Sequence, residues 1–148
     1  MTSRRNKLDA VIRHQQHREE EIREEFHKKK NELKSEETIM DRLNGELEDI
    51  LRDLTEKQKE CISTNQWDLY YEFIKRQCEN IRSQRGSVQR LTEHCEEKRG
   101  HLVQTARERK LLEQVNEKRK KALWKEEVKQ EQLALDETAS SRYRRKPS

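Results

Sequence analysis

Of the residues that most often interrupt helices, this chain of 148 residues holds one proline, at position 147, and three glycines. So few breakers exclude a loop-rich fold and the proline-rich composition common in disordered chains. Cysteine is equally sparse. Three thiols, at positions 61, 78 and 95, form no Cys-x-x-Cys pair, so neither a disulfide framework nor a zinc knuckle is expected. Aromatics make up 5% and hydrophobic residues 29%, too little apolar stock for an ordinary globular core of this length. No run approaches the roughly 18 apolar residues of a membrane span, and Met1-Thr2-Ser3-Arg4-Arg5 opens no apolar signal core. A cytoplasmic protein is expected.

What is abundant is charge, at 43% of residues, with 34 basic and 30 acidic side chains interleaved to a net +4. Interleaved signs describe a solvated surface more than a polyanion-binding patch. Under this charge run two seven-residue stripes. The first pairs the series Ile12, Glu19, Phe26, Leu33, Met40, Leu47, Leu54, Cys61 with Leu8, Gln15, Ile22, Lys29, Glu36, Leu43, Ile50, Lys57. Eleven of these sixteen are apolar against four of the other thirty-eight residues in that stretch, which marks a seam. The second pairs Trp67, Ile74, Ile81, Val88, Cys95, Leu102, Arg109 with Tyr70, Gln77, Gln84, Leu91, Lys98, Thr105, Leu112, nine of fourteen being apolar against seven of thirty-two elsewhere. A 3.5-residue spacing keeps each seam on one side of a slightly underwound helix.

Ser63-Thr64-Asn65 separates the stripes, and short side chains that bond the local backbone favour caps and turns. The predicted fold is therefore all-α: a single coiled-coil domain, an antiparallel two-helix hairpin. Its first arm covers 8–61, its hinge 62–66 and its second, overhanging arm 67–139, with a flexible, frayed basic tail at 140–148. Folded there, partner residue numbers sum to about 128, and the arms overlap over roughly 54 residues, about 80 Å. Glu19, Glu20, Glu21, Glu24 and Glu25 then lie across from Arg107, Arg109 and Lys110, and Lys28-Lys29-Lys30 near Glu93, Glu96 and Glu97. The same alignment sets Lys29 nearly opposite Lys98. It also brings Gly45 close to Gly86, either as tolerated helix glycines or as a bend or close approach.

Catalysis needs convergent groups in a concave, partly dry site, which two helices do not supply, so no enzyme is expected. His14 with His17, and His94 with His101, can share helix faces, yet no third and fourth ligand follow at zinc-site spacing. No cofactor is expected, because no glycine-rich phosphate loop is present. Lys118-Arg119-Lys120-Lys121 could neutralise phosphates, but Glu117, Glu126 and Glu127 flank it, unlike an almost purely basic DNA-reading helix. Nucleic acid is not the expected partner.

Protein partners are suggested by aromatic residues. Trp67, Tyr70, Tyr71 and Phe73 follow the hinge, and a thin rod cannot bury four rings. Trp67 and Tyr70 fall on the seam and can plug its end, leaving Tyr71 and Phe73 as contact candidates. Trp124 falls beyond the reach of the first arm, beside four basic residues, and reads as a docking site.

At the hinge and in its last forty residues the chain resembles the FliJ-type proteins of bacterial flagellar export. The resemblance rests on the aromatic opening Asn65-Gln66-Trp67-Asp68-Leu69-Tyr70-Tyr71-Glu72-Phe73-Ile74. It rests also on the late segments Leu112-Glu113-Gln114-Val115-Asn116-Glu117-Lys118-Arg119 and Glu131-Gln132-Leu133-Ala134-Leu135-Asp136-Glu137. It implies a stalk that couples a hexameric export ATPase to the membrane export gate and to export chaperones, peripheral on the cytoplasmic side of the membrane at the flagellar base. On that reading Arg4, Arg5, Lys118, Arg119, Lys120, Trp124, Asp136 and Glu137 are ring-contact candidates. Tyr71 and Phe73 are gate or chaperone candidates. The basic start, Thr2 to Lys7, departs from the apolar or aromatic first turn that the resemblance implies. Three rival readings remain: an injectisome stalk of the same architecture, a prefoldin-like holdase gripping unfolded chains, and a basic coiled-coil nucleic-acid binder.

Overall fold

The computed structural model describes the backbone of residues 2–145 and the side chains of residues 7–145. Two helices account for nearly all of it, α1 at Thr2–Gln58 and α2 at Thr64–Arg145. They pack against each other as an all-α hairpin, as the seven-residue pattern predicts. The chain divides into two units, residues 20–103 around the turn and a terminal unit of residues 1–19 with 104–148.

In the turn-proximal unit the connection falls earlier than the sequence pattern suggests. The tight i→i+3 bonds Lys59 N to Glu56 O (3.2 Å) and Glu60 N to Lys57 O (3.1 Å) wind down α1. Ser63 then caps α2. Its carbonyl accepts from Trp67 N at 3.1 Å, and its hydroxyl accepts from Gln66 N at 3.4 Å. Ser63-Thr64-Asn65-Gln66 matches the capping-box pattern, which places Ser63 outside the helix and Thr64 at its first position. The expected hinge at 62–66 is thus corrected to 59–63.

Moving the turn resets the register. Residue numbers sum to 123 in the pairs Tyr70–Asp53, Gln77–Glu46 and Lys98–Glu25, below the expected value. The change resolves the predicted lysine clash. Lys98 Nζ bonds Glu25 at 2.7 Å, and Lys29 bonds Glu32 on its own helix at 3.2 Å. Nor do the glycines mark a close approach. A Cβ built on Gly45, Gly86 or Gly100 would meet nothing within 4 Å.

The seam itself is where the pattern puts it. The buried residues among those described are Ile12, Ile81 and Cys95 together with Glu19, Gln77 and Thr105, and all six are seam positions. Lys57, Cys61 and Trp67 are the seam positions that stay exposed; Cys61 lies in the relocated turn and the other two flank it. Half of the buried set is polar, which an apolar stripe alone does not foretell. Gln77 Nε2 donates to both the Leu43 carbonyl and Glu46, each at 3.0 Å. Gln84 Nε2 likewise donates to a carbonyl and a carboxylate, both belonging to Glu36.

In the terminal unit polar bonds join the helix pair beside the buried Ile12. Arg109 Nε donates to Glu19 Oε2 at 2.5 Å, while its Nη1 reaches Glu113 at 3.0 and 3.1 Å. Gln15 bonds Glu108 at 2.9 Å, and Asn116 bonds Asp9 at 3.0 Å. Of the tail expected to fray, 140–148, helix α2 covers 140–145, with Arg142, Arg144 and Arg145 in its last turn, and the rest lies outside the described residues. Cations there complement the negative end of the helix dipole.

Candidate partner-binding surfaces

Beyond Leu123, the last half-buried residue of α2, every residue from Trp124 to Arg145 is exposed. Trp124 is 64% exposed, and Val128 and Leu135 follow it at four and eleven residues, which puts all three on one side of the helix. Leu133 points to the other side, and Tyr143 is the most exposed of the large apolar and aromatic residues described. These four accompany Trp124 and were not singled out by sequence reasoning. The signal was there in the i, i+4, i+11 spacing, which continues past the end of the paired seam.

Lys118, Arg119 and Lys120 are exposed on the same segment. Successive helix residues are about 100° apart, so these three point in different directions, and Lys120, four residues before Trp124, is the one that shares its face. Asp136 and Glu137 are also exposed and lie further along. The structure therefore strings these candidates along one helix without gathering them into a pocket. The side chains of Arg4 and Arg5 lie outside the described residues.

Around the turn, a shallow groove is lined by Ile50 and Lys57 of α1 and by Gln66, Leu69, Tyr70 and Phe73 of α2. Tyr70 is tied to α1. Its hydroxyl donates to Asp53 Oδ2 at 2.8 Å, and Lys57 Nζ stands 5.3 Å from its ring centre. The Tyr70 phenol oxygen first, and then the Asp53 carboxylate, hold the Lys57 ammonium above the usual lysine range. Phe73 lines the groove and is half exposed. Tyr71, also exposed, lies two residues away and so on nearly the opposite side of α2, sharing its face with Trp67. The two predicted contact aromatics are therefore not brought together. Leu69 joins Phe73 instead, four residues apart on one face, and no single-residue aromatic signal would have found it.

Among the described residues no group of three or more His, Cys, Asp or Glu side chains could hold a metal ion, and no helix is long and apolar enough to cross a membrane. A family model described as Flagellar FliJ protein matches residues 4–148. The chain belongs to the FliJ family. No curated protein and no solved structure gives a significant match. Membership makes the chain a component of the flagellar export apparatus, and FliJ proteins are export components without known enzymatic activity. On this FliJ-family chain, the end of α2 and the groove beside the turn are surfaces where large apolar and aromatic side chains among the described residues stay exposed.

Proposed function

We propose that this FliJ-family chain is the stalk of the flagellar type III export machine, coupling a hexameric export ATPase to the membrane export gate. The observation that carries the reading is the exposed end of α2. Trp124 and the basic residues beside it contribute nothing to the seam, and a Trp held at the surface by a helix with no core burden is a typical anchor for a protein partner. Lys118, Arg119, Lys120, Trp124, Asp136 and Glu137, with Arg4 and Arg5, are the residues proposed to meet the ATPase. Tyr71 and Phe73 are proposed to meet the gate and the export chaperones, on opposite sides of α2. The chain then works in the cytoplasm, held at the cell membrane through the gate, and is needed for flagellum assembly and so for motility and chemotaxis.

A stalk acts through contacts at both ends of a stiff element and needs no pocket of its own. The flagellar family favours this reading over the injectisome one. The test is capture of purified export ATPase by the intact chain, compared with Trp124→Ala and Lys120→Glu. Both variants are expected to lose capture while keeping their helical content. Equal capture by all three proteins rejects the proposed contact, and normal flagellin secretion from a deletion strain rejects the function.

A further inference from the structure

The two sides of the helix pair in the terminal unit differ in kind. On one side Asn116 donates to Asp9 at 3.0 Å and Gln16 donates to Glu113 at 3.4 Å. On the other, Gln15 donates to Glu108 at 2.9 Å. Val11 lies four residues before Gln15, and Leu111 and Val115 lie three and seven after Glu108, so helix spacing puts all three on the Glu108 side, where they line the groove between α1 and α2. All three are exposed. The rim of this groove is basic. Lys7 and Arg18, four before and seven after Val11, lie along it, and its carboxylate, Glu108, is taken by Gln15.

A matching knob stands further along the same helix. Leu133 follows Val115 by eighteen residues, five full turns, so it points the same way, and it too is exposed. Glu126 and Glu137, seven before and four after, share its face, in a segment, 126–137, that holds five carboxylates and one lysine. An acidic helix led by a leucine suits an apolar groove with a basic rim. Knob and groove belong to one face of α2, so two copies running antiparallel about a two-fold axis near residue 123 set Leu133 of each between Leu111 and Val115 of the other. The second α2 then runs parallel to α1, which brings its Glu126 and Glu137 within one turn of the height of Lys7 and Arg18. Ala122, three turns after Leu111, falls at the axis, where a small side chain permits close approach.

We infer that this chain pairs with a second copy of itself through the Val11, Leu111 and Val115 side of the terminal unit, each copy seating the acidic helix 126–137 of the other. Trp124 is two and a half turns from Val115 and points away from this contact. The pairing is therefore a property of the chain alone, independent of the ATPase contact proposed for Trp124.

Sedimentation velocity of the purified full chain, from low to high micromolar concentration, reads the pairing. The parent is expected to show a concentration-dependent dimer. Leu133→Glu and Val115→Glu are each expected to weaken it by about tenfold or more, because each removes a buried aliphatic side chain. Val128→Glu, on the Trp124 side, is expected to leave it unchanged. Lys7→Glu should weaken the dimer, and Lys7→Glu combined with Glu126→Lys should restore it. These positions are exposed, so circular dichroism is expected to show unchanged helix in every charge variant. In a chain carrying Cys61→Ser, Cys78→Ser and Cys95→Ala, Ala122→Cys should form an interchain disulfide under mild oxidation and Val128→Cys should not. A monomer at every concentration overturns the inference. So does a dimer indifferent to Leu133→Glu and Val115→Glu, a charge exchange that fails to restore pairing, or cross-linking at position 128 in place of 122.

Discussion

Arg109 and Glu19 meet across the terminal unit at 2.5 Å, with Glu19 buried and only 23% of the Arg109 side chain exposed. Both are seam positions, so the helix pair is held here by an ion pair where an apolar contact would ordinarily sit. Glu113 takes the remaining guanidinium face, and together the two carboxylates hold the Arg109 charge more firmly than usual. Removing one member leaves the other desolvated. Arg109→Ala should lower the unfolding free energy by about 2–3 kcal/mol, whereas joint replacement of Arg109 and Glu19 by leucine should restore most of it or exceed the parent. Denaturant titrations of the three proteins check this.

The Glu25–Lys98 bond gives the turn-proximal unit a window in pH. Lys98 lowers the Glu25 pKa through the hydrogen bond first and charge second, so that part of the stability is present above the usual glutamate range and is lost as pH falls through the lowered value. Glu25 raises the Lys98 pKa, so the other part is present below the usual lysine range and is lost as pH rises through the raised value. Lys98→Met should flatten both limbs of the melting temperature against pH, and the effect should shrink in high salt because both groups are exposed.

Gly45 and Gly86 are helical, have ordinary backbone angles and face open space. Each Gly→Ala change should therefore stabilise the chain by about 1 kcal/mol, additively, by relieving the entropy that glycine costs in a helix interior. Thermal melts of the single and double variants measure it.

Ser63→Ala should cost about 1 kcal/mol by leaving the Gln66 amide without its cap, and Ser63→Asp should restore stability. Circular dichroism melts distinguish the two.

Trp124→Ala should leave the melting temperature unchanged within about 1 °C, since surface substitutions away from packed features usually fall within 0.5 kcal/mol. A drop of several degrees would show that the ring packs against the chain itself.

Most of this fold is legible in the sequence because its packing is one-dimensional. A seam that repeats every seven residues names its own buried positions, and Ile12, Ile81 and Cys95 fall on it together with the polar Glu19, Gln77 and Thr105. The turn is less legible. Apolar periodicity runs on through Cys61 and cannot say where a helix stops, whereas the Ser63–Gln66 cap does say where the next one starts. Misplacing that turn displaces the partners expected within residues 20–103, which is why Lys29 and Lys98 are predicted to collide and in fact find separate carboxylates, whereas Glu19 meets Arg109 as expected. The polar seam residues are the other blind spot. Gln77 and Gln84 look like flaws in an apolar stripe until a second helix brings carbonyls and carboxylates to them. At the surfaces, Trp124 stands out by type alone, whereas Val128, Leu135 and Leu69 gain meaning only when the helix shows which residues share a side.

Not one side chain in the described residues is fully enclosed. A protein built this way has no interior to hollow out, so damage at one layer should stay local and the layers should unzip nearly independently, as in linear repeat arrays. Heating such a molecule would produce a gradual loss of helix spread over a wide range of temperature, in place of the single sharp heat-absorption peak of a globular domain.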